Sequence, residues 1–398
     1  MLAAVFAGCG DPRVVFTDPA PEWPDPSDYV PGPGRIYMTN AGDDTVSVVD
    51  MQTFEELDRA PVGLVPVEKE GPHHLAITPD AAWAFIGISN FAPGSGSGPH
   101  GSHGTGAADG YCLKMSLEDG RVVDEVRVER NPGDVRLMPD GVTILQSHFD
   151  LLALQEAAEA GEDLYDATAV LSVIDGVTMQ ILRRVDTCPA PHGVGVAPDA
   201  SAAYLACWGS DEIAIVDMES GEYEVTRVPV GADPRVGSPE YGPYALAVSP
   251  ADGSVWLSCW MSDSRPDAFG EVRRFDPETG EMDLDPILRV TTGNPMFSDF
   301  SDDGSRLYVP FQISDYLAVF DPETGDVLAQ TSLLDTEACR NVHIATLSPD
   351  ERSLYVLCEG DHPRSPGTLL DLDPNTLEMR RFVEVGMFPD DIAIVPAR

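Results

Sequence analysis

A β-hairpin that returns seven times limits this chain's fold more than any other feature of its sequence. Its clearest copy runs from Pro191 through Asp199 and on to Trp208, two short alternating strands joined at Pro198-Asp199. That is the pattern of a half-buried hairpin. Further copies begin at Pro72, Pro132, Pro243, Asn294 and Asn341, and the last spans Pro389 to Pro396. A third strand ends in an acidic turn at Asp50, Glu118, Asp175, Asp217, Asp276, Asp321 and Asp373, and a fourth strand leads away from it. Four strands recurring every ~40 to 50 residues make the blade of a β-propeller. One blade cannot bury both of its faces, so the blades must stack into a closed ring. The expected fold is therefore all-β: a seven-bladed β-propeller with four-stranded antiparallel blades, strands A to D.

Phase predicts how the ring closes. The chain enters at strand B (Arg35 to Asn40), passes through C (Thr45 to Asp50) and D, and only then meets its first strand A. At the far end, Asp391 to Val395 is a strand A with nothing after it. The closing blade should combine this C-terminal strand A with the N-terminal strands B, C and D, which removes free sheet edges. Here Tyr37-Met38-Thr39-Asn40 and Thr45-Val46-Ser47-Val48-Val49-Asp50 resemble the repeat of the YVTN-type β-propeller family of bacterial exported and surface proteins. The resemblance covers roughly residues 35 to 396 and implies a seven-bladed ring. Seven-bladed relatives elsewhere include lactonases, amine dehydrogenase subunits and copper reductases, so the resemblance leaves function open.

Three segments are expected: residues 1–9, 10–34 and the propeller, 35–398. Met1 to Cys9 resembles the end of a bacterial lipoprotein signal, with Ala7-Gly8-Cys9 as the lipobox and Cys9 as the lipidated residue. Residues 10–34 carry Pro12, Pro19, Pro21, Pro24, Pro26, Pro31 and Pro33, the composition of a stiff tether. Charge separates the remaining classes. With 67 acidic against 24 basic residues the net charge is −43, which repels nucleic acid and anionic lipid. No apolar run reaches the length of a membrane span, so membrane contact is expected only through the lipid. A monomer in the cell envelope, periplasmic or extracellular, is the expected setting.

Long insertions fall on one face of the ring, that of the B–C and D–A connections. They are Asn90 to Asp109, Leu151 to Asp166, Gly231 to Tyr241 and Met261 to Gly270. Ordered loops on a rigid scaffold are where function concentrates. All eight histidines map to that face. His73, His192 and His343 share one repeat position, the first residues of strand A, where the other blades have Gly133, Tyr244, Met296 and Asp390. These seven should ring one mouth of the central channel. Imidazoles with a carboxylate and a thioether suit a copper or zinc ion. His74 and His148, with His100, His103 and His362, are further or peripheral ligands. A channel mouth lined by polar residues and water is the plainer alternative.

Cys188 and Cys207 are separated by the same interval as Cys339 and Cys358, at the same repeat phase, and are expected to form two disulfides. The rival is thiolate ligation, because simple register across the A–B hairpin sets Cys207 beside His192 and Cys358 beside His343. Cys112 and Cys259 read as small buried residues. Tyr244, Trp208 and Trp260, with Met296 and Asp390, make a ligand-binding wall, or else pack between blades. No Gly-x-Ser-x-Gly elbow in strand–helix context, no Walker loop and no Cys-x-x-Cys-His site is present. The leading functional expectation is an exported, lipid-anchored propeller that binds a protein or small molecule through its histidine-bearing face. A metal-dependent enzyme or redox protein is the second expectation, and a lactonase-like hydrolase the third.

Overall fold

Alternating apolar residues fold each repeat into one sheet. The structure, a computed structural model, describes residues 29–397 apart from 64–69, 90–102, 238, 261–269, 286–287, 291–292, 335 and 363. Residues 1–28, and with them Cys9 and most of the expected tether, lie outside the described residues. Blade 1 is built from Pro72–Ile77, Trp83–Ile88, Asp109–Ser116 and Val122–Arg130, paired antiparallel in that order. Five more sheets repeat the arrangement around the ring, and in blade 4 the outer strand is broken into Glu281–Met282 and Leu288–Val290. Strand A of each blade lies against strand A of the next all the way round. The seventh sheet closes the ring as phase requires: the C-terminal Pro389–Val395 pairs with Arg35–Asn40, followed by Thr45–Asp50 and Glu56–Pro61.

The apolar faces meet between blades. Val173, Val194 and Leu205 pack blade 2 on blade 3, and Tyr308, Val342 and Leu370 pack blade 5 on blade 6. Each such side chain stabilises the ring by about 1.5–3 kcal/mol. Polar clasps repeat beside them. Asp134 accepts from the Val194 amide, Asp391 from Leu75 and Asp299 from Leu347, in each case across a blade boundary at 2.9–3.0 Å. Blade 5 departs from the repeat. Its regular strand A shrinks to Asp299–Phe300: Pro295 keeps a single bridge to Phe311 of its own blade, and Phe297 turns to blade 6. There the Phe297 amide donates to the His343 carbonyl and the Ala345 amide to that of Phe297, both at 3.2 Å.

Both expected disulfides are present, Cys188–Cys207 with Cα atoms 6.0 Å apart and Cys339–Cys358 with 5.4 Å. They exclude the thiolate alternative at these four cysteines. Cys112 and Cys259 are buried free thiols, and burial pushes Cys112 up to about 12. No helix among the described residues is long and apolar enough to cross a membrane. A chain with a net charge of −43 repels itself. Raising salt from 10 to 150 mM, where screening shortens from ~30 to ~8 Å, should raise the melting temperature by roughly 1 °C or more, about 1 kcal/mol at this size. A melting temperature that stays level or falls in a salt series at fixed pH would show that the acidic surface costs the fold nothing.

Candidate functional site

Two local backbone devices aim side chains into the channel mouth. The residue before strand A is left-handed in most blades: Gly71, Asn131, Ala190, Gly242, Asn341 and Phe388 have φ between 46° and 63°. For Ala190 and Phe388 that conformation costs about 1–2 kcal/mol, strain of a kind that collects at functional sites. A β-bulge follows. Pairing with strand B skips His73 and His74 in blade 1, Gly133 and Asp134 in blade 2, and His192 and Gly193 in blade 3. It likewise skips Tyr244, His343 and Asp390 in blades 4, 6 and 7. A bulge re-aims the extra residue out of the ladder, here toward the channel axis. The simple register placing Cys207 beside His192 and Cys358 beside His343 is therefore corrected: Cys207 lies opposite Pro191, and Cys358 opposite Val342.

Three buried clusters result. His73, His103 and His192 each bring one donor atom within 4.8 Å of the others, and all three are at most 1 % exposed. His103 comes from the B–C insertion of blade 1, whose end is gripped by Asn131 through both the N–H and the C=O of Gly106. Gly104 (φ 81°) lets the loop pass Phe149, since a Cβ there would lie 2.5 Å from the Phe149 carbonyl. His73 donates through Nδ1 to the Gly133 carbonyl at 3.0 Å, while its Nε2 lies toward Asp390. Neither ring nitrogen of His192 has a hydrogen-bond partner among the described residues. Burial, with His103, His73 and His74 close by, holds His192 neutral far below its ordinary pKa, and burial likewise lowers His73. His192 stacks on Tyr244 with centroids 3.8 Å apart, and Tyr244 on Trp260 at 3.7 Å.

The second cluster is His343, Glu359 and Asp390. His343 Nδ1 lies 2.9 Å from Glu359 and 3.1 Å from Asp390 Oδ1, while Asp390 Oδ2 lies 2.7 Å from His73 Nε2. Burial opposes charging of His343, yet the two carboxylates outweigh it and push the imidazole up to about 10. Asp390, despite its own burial, is held well below the usual carboxylate range by His73 and His343. The third cluster, His74 with Asp134 and Asp391, faces Arg136, which contacts both carboxylates at 3.2 and 3.9 Å. It borders a cavity of about 350 Å³ lined by Arg136, Val194, Phe297, Asp299 and Asp391.

Of the residues singled out in the sequence, His73, His192, His343, Tyr244 and Asp390 come together at the mouth, but His343 joins a different trio from His73 and His192. Met296 packs in the apolar cluster with Tyr244 and Phe297, against which Trp208 and Trp260 are partly buried. His148 lies apart, bonded to the Arg130 carbonyl and Ser172, and His100 falls outside the described residues. Glu359, Asp134 and Asp391 were not foreseen as site residues. Glu359 follows Cys358 at the end of strand B, Asp134 sits in a strand-A bulge, and Asp391 directly follows the bulge at Asp390.

No protein-family model matches the chain, and no curated protein matches it in sequence. Solved structures do. The periplasmic gluconolactonase of Pseudomonas aeruginosa is similar with a TM-score of 0.62 and 18 % identity, over 92 % of this chain and 99 % of that one. A putative 6-phosphogluconolactonase of Bacteroides uniformis gives 0.61 and 14 %, over 90 % and 98 %. A dihydro-heme d1 dehydrogenase gives 0.56 and 13 %, over 96 % and 79 %. At such identities the likeness establishes the propeller fold.

Proposed function

We propose that this protein is a metalloprotein of an oxidising compartment, a propeller that holds a zinc or copper ion at its channel mouth through His73, His103 and His192. His192 carries the reading: it is fully buried, has no hydrogen-bond partner on either ring nitrogen among the described residues, and stands within donor reach of two other imidazoles. Leaving such a polar group unsatisfied costs about 1–3 kcal/mol, which a metal–nitrogen bond offsets. Three imidazoles are a donor set for zinc or copper. A set of three leaves a coordination position for water or substrate, the arrangement of catalytic zinc rather than structural zinc. Tyr244, Trp260 and Trp208 supply an aromatic wall beside it.

Water on such an ion ionises near pH ~7, a nucleophile suited to opening a lactone, the reaction named for the two gluconolactonase neighbours. Their likeness supports this substrate class only through the fold. The two disulfides support an exported location. Anchoring at Cys9, a tether over residues 10–34 and kinship with YVTN-type propellers complete the reading.

The test uses chain purified without an affinity tag, stripped with a chelator and titrated with zinc and with copper. Binding that survives dialysis is expected, with affinity falling at least ~100-fold in His103→Ala/His192→Ala, more than the loss of a supporting partner gives. A wild-type chain that binds neither ion, or a double variant that binds as wild type does, sinks the reading. Lactone hydrolysis lost with the metal and regained on reloading would place the substrate class.

A further inference from the structure

The imidazole trio does not exhaust the donors at the mouth. Beside it His343, Glu359 and Asp390 form a second trio, each fully buried, with donor atoms within 4.8 Å of one another. Asp390 belongs to both neighbourhoods. Its Oδ2 faces His73 Nε2 at 2.7 Å and its Oδ1 faces His343 Nδ1 at 3.1 Å. Both oxygens of this buried carboxylate thus face ring nitrogens at ion-pair distance. An imidazole and two carboxylates whose donor atoms converge within 4.8 Å in a buried site are also the donor set of a bound cation.

The geometry points to a second metal site at His343, Glu359 and Asp390, making the mouth a two-metal centre with the Asp390 carboxylate as the bridge. One imidazole and two carboxylates form a harder donor set than three imidazoles, suited to zinc, manganese or iron(II). The first ion would then sit in a nitrogen-rich pocket and the second in an oxygen-rich one. Glu359 has a backing partner: its other oxygen lies 3.1 Å from His362 Nε2, and His362 rests on Phe388 with centroids 3.8 Å apart. Such support fixes a ligand's direction.

The His74 trio is different in kind. Its carboxylates already accept backbone amides from Val194 and Leu75 and face the Arg136 guanidinium as well as His74. Two basic groups there balance two acids, and the cluster serves as an ionic clasp between blades. The ion pairs of Asp390, by contrast, are with imidazoles alone. Paired metals about 3.5–4 Å apart hold the attacking and leaving oxygens of a hydrolysis together, which is the chemistry a shared carboxylate would serve at this mouth.

The inference rests on the first-site reading only in that the bridging role of Asp390 needs an ion at His73. The stripped full-length chain, titrated with zinc alone, should take up two ions. Glu359→Gln and His343→Ala should each lower the count to one and leave the tight imidazole site. His103→Ala/His192→Ala should lower it to one by the other route, and Asp390→Asn should weaken both. X-ray absorption on the doubly loaded protein should show a zinc–zinc vector of about 3.5–4 Å. Melting curves in chelator identify any variant that fails to fold, and the second substitution at the same site then decides. Two outcomes overturn the two-metal centre while leaving the first site standing: a single ion in wild type that Glu359→Gln leaves in place, or two ions both indifferent to Glu359→Gln and His343→Ala. No zinc uptake at all overturns both readings.

Discussion

Deleting residues 389–398 should abolish cooperative folding, not merely lower the melting temperature. Those residues supply strand A of the closing blade, which pairs with Arg35–Asn40 along its length. Asp391 also clasps the Leu75 amide of blade 1. Without it, blade 7 keeps three strands, the edge of Arg35–Asn40 is bare, and blades 6 and 1 have no innermost strand between them. An open edge of that length invites pairing with another chain. The expected loss exceeds about 5 kcal/mol, the lower end of total domain stability. The truncated chain should aggregate or lack near-ultraviolet dichroism. A circular permutant that joins residue 397 to 35 through a short Gly/Ser linker and opens the turn at Gly141 keeps every blade whole and should fold. A truncated chain that melts as wild type does would mean the ring is held shut without its seam.

The repeat was legible because each blade spells out its hairpin: period-two alternation, then a Pro-Asp or Asp-Gly turn, at a spacing the ring cannot vary. The phase offset between Arg35 and Pro389 gave the closure for the same reason. Alternation fails where the backbone leaves it. Phe297 carries a strand-like pattern, yet bonds sideways to His343 and Ala345 of blade 6 instead of back to its own blade. Counting by twos also set Cys207 beside His192, since a bulge adds a residue that hydrophobic pattern does not mark.

The site was legible to the same depth. His73, His192, His343, Tyr244 and Asp390 stand at one repeat position, so the ring brings them together whatever their chemistry. His103 holds no repeat position. It reaches the axis from an insertion whose Gly-rich sequence carries no periodic signal, and contacts remote in sequence, with Asn131, Phe149, Leu152 and the Tyr244 hydroxyl, fix where it lands. Glu359 lies one residue beyond strand B, where nothing in the sequence separates an inward carboxylate from a solvated one. The division of the histidines into two trios follows from Asp390 standing between them, a three-dimensional fact with no counterpart in spacing.

Removing both disulfides should bring the protein close to unfolding at 37 °C and loosen its metal ligands together. Each bridge spans a separation of 19 residues, a loop whose closure in the unfolded chain is worth about 3 kcal/mol. The bridges lie in separate apolar clusters, between blades 2 and 3 and between blades 5 and 6, so their effects should nearly add. About 6 kcal/mol is a large part of the ~5–15 kcal/mol that holds a domain. Position links this loss to the site. Cys207 sits opposite Pro191, the residue before His192, while Cys358 sits opposite Val342, before His343, and itself precedes Glu359. Each bridge thus pins the strand ends from which ligands emerge. Replacing all four cysteines with alanine, or reducing with a phosphine that does not bind zinc, should lower the melting temperature by roughly 8 °C. Zinc affinity should fall in folded protein below that transition. Unchanged zinc binding in the reduced, folded protein would leave the bridges a stabilising role alone, and an unchanged melting temperature would show that the blades need neither.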